Sequence, residues 1–83
     1  MEKLKVHILK RLYRYTYVGR RHTSLDNLKQ GLPKEKRVMR DIKKAVKELV
    51  NEGYLLVHHT NRVSLNPRML WEIKEIVSHI KRR

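Results

Sequence analysis

Residues 42–59 read IKKAVKELVNEGYLLVHH, and their parsing decides the rest. Ile42, Ala45, Val46 and Leu49 recur at the i, i+3, i+4, i+7 spacing of one helix face. The pattern stops at Asn51-Glu52-Gly53, and Tyr54-Leu55-Leu56-Val57-His58 follows at once as a short apolar strand. Gly53 has no Cβ, so it permits the sharp reversal that lays such a strand back against the helix. Upstream, the same helix extends to Pro33, a residue suited to a first helical turn. The spacing predicts one helix over 33–52. At roughly 100° per residue, Val38 joins the apolar stripe. Lys36, Arg40, Lys43, Lys44 and Lys47 project from nearly the opposite side, with Glu35, Asp41 and Glu48 off that face.

The cationic stripe is the local form of a global bias. The 83 residues hold 21 Lys and Arg against 8 Asp and Glu, a formal net charge of +13. Such a charge repels itself in a folded chain and points to a polyanionic partner that neutralises it. With 40% hydrophobic residues the chain is periodic enough to fold, and its length suits one domain with a small core. The absence of Cys excludes disulfides and thiolate metal sites and fits a reducing, cytoplasmic setting. No apolar run approaches a membrane span, and MEKLKVHILK is too charged for a signal peptide. A charged fraction of 35% with a single Gln, Gln30, leans towards a thermophile.

The flanking elements fall into place around the central stretch. A first helix is expected over 2–18, with Leu4, Ile8, Leu12 and Tyr15 inward and Gly19 as its left-handed cap. Lys3, His7, Lys10 and Arg14 form a second basic ridge on it. Arg20 to Thr23 reads as an extended segment that pairs with a later strand. Thr23 or Ser24 then caps a short helix over 24–30, with Leu25 and Leu28 inward. After the long helix, 54–65 forms a hairpin with its turn at Thr60-Asn61 and with His58, His59 and Arg62 crowding the tip. Asn66-Pro67 opens a last helix over 67–82. Its stripe is Met69, Leu70, Ile73, Ile76, Val77 and Ile80, Trp71 lies off that stripe, and Lys81-Arg82-Arg83 suits the helix dipole.

Helix, short strand, short helix, long basic helix, hairpin, helix resembles a winged helix-turn-helix, an α+β, mostly helical fold. The junction IKKAVKELVNEGYLLVHH looks like that superfamily's passage from recognition helix to wing. Arg21-His22-Thr23, Asn27-Leu28, Gly31-Leu32-Pro33 and Val63-Ser64-Leu65-Asn66-Pro67 are similar to small archaeal winged-helix proteins of unassigned role. The resemblance implies that Lys36, Arg37, Arg40, Lys43, Lys44 and Lys47 are groove or phosphate contacts. It makes Arg62, with His58 and His59, the wing contact. A Lys-dominated face with no Asn or Gln before Asn51 suits backbone binding more than base reading.

Other residues are weighed against plainer roles. His58 and His59 are adjacent on a strand and point to opposite faces, so no metal or other cofactor is expected. His22 touches phosphate or orders its own turn. Tyr13 and Tyr17 either pack beneath the wing or last helix or offer stacking platforms beside Lys10 and Arg14. Trp71 covers the core edge or anchors a partner, including a second copy through the last helix. No nucleophile elbow, phosphate-cradling Gly loop or acid pair points to catalysis, and Asp26 and Asp41 have cap or salt-bridge explanations. Two functions compete. One is a structural component bound to ribosomal or other structured RNA, which basic groups on several sides favour: the first ridge, Arg20-Arg21, the long helix and the tail. The other is a duplex-DNA regulator or chromatin-type protein. A protein-docking winged helix ranks third.

Overall fold

The computed structural model describes residues 1–59 and 61–82, with residues 79–82 by backbone alone. The elements are α1 (Lys3–Arg14), β1 (Thr23–Ser24), α2 (Leu25–Gln30), α3 (Met39–Asn51), β2 (Leu55–His58), β3 (Arg62–Leu65) and α4 (Leu70–Arg82). One 3-10 turn, Lys34–Lys36, precedes α3, and another, Pro67–Met69, precedes α4. The four helices and a three-stranded antiparallel sheet, in the order β1-β3-β2, make an α+β fold. Leu55 pairs with Leu65 and His58 with Arg62 across the hairpin, and Thr23 pairs with Val63 on the other side of β3.

The buried residues come from every layer. α1 supplies Ile8, Leu9 and Leu12, α2 Leu25 and Leu28, and α3 Ile42, Ala45, Val46 and Leu49. Leu55, Val63 and Leu65 close the core from the sheet, and Ile73 and Val77 from α4. Ile80 and the terminal basic run lie outside the described side chains.

α1 is shorter than its periodicity suggests. Its end is a Schellman cap: Tyr17 N–H bonds Leu12 C=O at 2.9 Å and Thr16 N–H bonds Tyr13 C=O at 3.1 Å. The left-handed position is Thr16, at φ +55°, and not the expected Gly19. Tyr15, expected inside, is 43% exposed. The buried stripe is therefore 5, 8, 9, 12, with Lys5 in it. Gly19, at φ +62°, instead lets the chain turn beside β3, where its N–H donates to Leu65 C=O at 3.0 Å. Val18 makes a single bridge to Leu65 of β3, and within the expected extended segment 20–23 only Thr23 pairs, beyond Arg20 and Arg21.

The expected helix over 33–52 is broken. Pro33 is extended before the 3-10 turn, Arg37 leaves helical geometry at ψ 41°, and Val38 is extended at φ −95°, ψ 111°. Arg37 explains the break. Its Nε donates to Leu32 C=O at 2.8 Å and its Nη2 to Gln30 C=O at 3.0 Å, tying this turn to the end of α2. Val38 thus caps α3 and is 46% exposed, outside the core stripe. α2 begins as expected, Ser24 Oγ accepting from Asn27 N–H at 3.1 Å. Asn66 Oδ1 accepts from Arg68 N–H at 3.0 Å, so the Asn-Pro start holds for the 3-10 turn, and the α-helix proper follows at Leu70.

Candidate nucleic-acid interface

With Ile42, Ala45, Val46 and Leu49 buried, the opposite side of α3 carries Arg40, Lys43, Lys44 and Lys47, all exposed. None of the four makes a salt bridge. Among the described residues the only salt bridges are those of Lys5, to Glu48 at 2.8 Å and Glu52 at 3.2 Å. Lys43 also borders a depression of about 100 Å³ with Asp26 of α2, Met39 and Asn61 of the hairpin loop, which brings α2, α3 and the loop to one edge.

The break at Val38 separates from α3 both Lys36 of the expected stripe and Arg37, a contact that the resemblance implied. Lys36 is half-buried in the 3-10 turn. It shares a depression with Glu2, Glu35, Asp41 and Glu48, which Lys44 also borders. Arg37 has two of its nitrogens committed to backbone carbonyls.

At the hairpin tip the basic groups are knit together. Arg62 Nε donates to His22 Nδ1 at 2.8 Å, and the His22 ring stacks on His58 at 4.4 Å between centroids and meets His59 edge-on at 6.4 Å. As an acceptor at Nδ1, His22 is neutral. Desolvation, and then His58, Arg62 and His59, hold its pKa below the ordinary imidazole value. Ser64, fully buried, donates to Gly19 C=O at 2.7 Å, so His58 Nε2 donates to Ser64 Oγ at 2.9 Å. This Ser–His pair is a tie between β3 and the Gly19 turn: the hydroxyl proton is committed to a carbonyl and cannot be taken by the imidazole. His59 is exposed at the tip, at φ +44°.

The remaining candidates are scattered over other faces. Arg20 and Arg21 are exposed, and the Arg21 guanidinium covers the Tyr17 ring at 5.3 Å. Lys10 and Arg14 border a groove of about 650 Å³ between α1 and α4, with Tyr13, Lys74 and Val77. Tyr13 and Tyr17 are half-buried against the core. Trp71 is 76% exposed, with the Lys74 ammonium 5.5 Å from its ring. No group of three His, Cys, Asp or Glu among the described residues is arranged to hold a metal ion. No described helix is long and apolar enough to cross a membrane.

Sequence reasoning missed Lys5, which is buried at 8% exposure between α1 and α3. The signal was its place on the 5, 8, 9, 12 face, opposite a Glu48/Glu52 pair one helical turn apart. Its hydrogen bond to Glu48 outweighs desolvation and raises the Lys5 pKa, and the same bond lowers that of Glu48. No known protein family, no curated protein and no solved structure matches this chain.

Proposed function

We propose that this chain is a non-catalytic winged-helix nucleic-acid-binding protein of the cytoplasm, a structural component that grips ribosomal or other structured RNA through its phosphates. The observation that carries this reading is the outer face of α3, where Arg40, Lys43, Lys44 and Lys47 stand exposed without a salt bridge among the described residues. Exposed cations that are not locked into salt bridges are the ones that release counterions when phosphates replace them. Lys10, Arg14, Arg20 and Arg21 on other faces suit a ligand that surrounds the domain, as folded RNA does.

The test compares wild type with Arg40→Ala/Lys43→Ala/Lys44→Ala/Lys47→Ala for affinity to a structured RNA and to a duplex of equal length. Steep loss in a folded variant, with a shallower salt dependence, is expected. Unchanged affinity overturns the reading. Duplex DNA is the second reading, favoured by one observation: Lys43 and Asn61 border the same depression, so α3 and the hairpin loop can meet one backbone together. A duplex preference that survives alanine at Lys10 and Arg14 would select it.

A further inference from the structure

A second depression, of about 330 Å³, lies between α1 and the turn that leads out of α2. His7, Lys10, Arg11, Arg14 and Arg37 line it, and no carboxylate does. The depression beside Lys36 differs sharply, being ringed by four acids. Arg11 sits across Gly31, where any Cβ would collide with its Nε, Cδ and Cζ. Its guanidinium also covers the Tyr15 ring at 4.4 Å. Its Nε is shut off from solvent without a hydrogen-bond partner, the one such side-chain atom among the described residues. The side-chain arginine hydrogen bonds found among those residues belong to Arg37 and Arg62. Arg11 is thus seated by contact alone, with its terminal nitrogens uncommitted. Arg37 is fixed at the rim by its two carbonyl bonds.

An immobilised guanidinium with no protein acceptor, among further cations, leaves its donors unbalanced. A tetrahedral oxyanion supplies acceptors that match its planar fork. We propose that this depression binds a phosphate group, with the Arg11 terminal nitrogens as the principal donors and Lys10, Arg14 and His7 around the anion. The site lies on α1 and the α2 exit, not on the outer face of α3, and stands or falls separately from it. His7 adds a pH dependence. Burial, then Lys36 and Lys10, lower its pKa, against Glu35. The groups that face it are Lys3 and Lys10 on α1 and Glu35 and Lys36 on the 3-10 turn. An anion in the depression reverses that balance and favours imidazolium.

The experiment titrates the folded chain with sulfate, and separately with inorganic phosphate, against chloride at matched ionic strength. Side-chain nitrogen NMR of His7, Lys10, Arg11 and Arg14 is the readout. Saturable shifts confined to His7, Lys10, Arg11, Arg14 and the Gly31 amide are expected, largest at Arg11. Sulfate keeps its charge, so its binding should tighten as pH falls through the ordinary imidazole range. Two variants preserve net charge. Gly31→Ala, allowed by a φ of −87°, displaces Arg11, and Arg11→Lys removes the fork. Each should weaken sulfate by about tenfold, while the four-alanine α3 variant keeps wild-type affinity for it. Chloride acting as sulfate does, shifts spread evenly over all exposed cations, or both charge-preserving variants binding as wild type would each overturn the site. If structured RNA shifts the same signals, the phosphate is a backbone phosphodiester. If phosphate ion does and RNA does not, it is a free phosphate.

Discussion

Helices α1 and α3 are both basic and amphipathic, and both close on a Schellman cap, yet they use their cations in opposite ways. α1 turns Lys5 inward onto Glu48 of α3 and Glu52 at its C-cap and lays Arg11 across Gly31. α3 turns its acids towards α1 and keeps Arg40, Lys43, Lys44 and Lys47 exposed. The same residue type is a structural strut on one helix and an exposed charge on the other. Formal charge therefore says little until each cation is assigned an acceptor or none.

The largest expected effect breaks the comparison on the α3 side. Replacing its four outer cations with alanine should lower nucleic-acid affinity by on the order of a hundredfold at low salt and flatten the salt dependence. The thermal midpoint should stay level or rise, since like charges are removed from a chain of +13. Lys5 and Lys47 sharpen the contrast as a matched pair. Lys5→Met should lower the thermal midpoint by several degrees and leave binding nearly intact, because it strands two carboxylates. Lys47→Met should weaken binding and leave the midpoint alone. Calorimetry and anisotropy on both variants decide it; identical behaviour of the pair would erase the distinction.

The helix ends come next. At the close of α3, Gly53 at φ +91° holds the left-handed position, with Tyr54 N–H on Leu49 C=O at 2.9 Å. At the close of α1, Thr16 holds the same position. Gly53→Ala should cost about 1–2 kcal/mol of unfolding free energy, and Thr16→Gly should gain up to about 1 kcal/mol, both read by denaturant titration.

The smallest effects are in pH. Glu48 has a lowered pKa, so its contribution is present above the ordinary carboxylate range and lost as pH falls through the lowered value. Lys5 has a raised pKa, so its part is complete below the ordinary lysine value and lost as pH rises through the raised one. Lys5→Met should flatten both flanks of the stability profile. His22, a base with a lowered pKa, gives a third inflection. The unfolded chain takes up its proton first, so stability declines as pH drops below the ordinary imidazole value. His22→Gln should shrink that step in unfolding measured between neutral and mildly acidic pH, leaving the part that belongs to His7, whose pKa is also lowered.

The pair of caps also marks what the sequence could disclose. Gly53 lies between a 3.6-residue pattern and a strand, and both the α3 end and the hairpin followed from it. Thr16 gave no such sign. A β-branched residue is a poor left-handed cap, and Gly19, three positions on, offered a plausible false one. The outer face of α3 was legible because periodicity alone orients it. Lys36 and Arg37 were misplaced because the break at Val38 goes with Arg37 reaching back to the Gln30 and Leu32 carbonyls, a side-chain-to-backbone contact that hydrophobic periodicity does not reveal. Lys5 was missed because a buried lysine is recognisable only once its two partners on another helix are known.

β3 has a consequence for how the chain opens. On one side it meets β2, and His58 and Ser64, bonded across that pair, are 6 residues apart. On the other side Ser64 reaches Gly19, 45 residues away. The Leu65 N–H is held by Tyr17 C=O and the Gly19 N–H by Leu65 C=O, at 2.8 and 3.0 Å. The β2–β3 tip can fray and re-form on its own, whereas these two amides are released when the segment 17–19 leaves β3. Their hydrogen exchange is expected to be slower than that of the hairpin tip, because it requires residues 17–19 to leave β3, which ties the first third of the chain to the last.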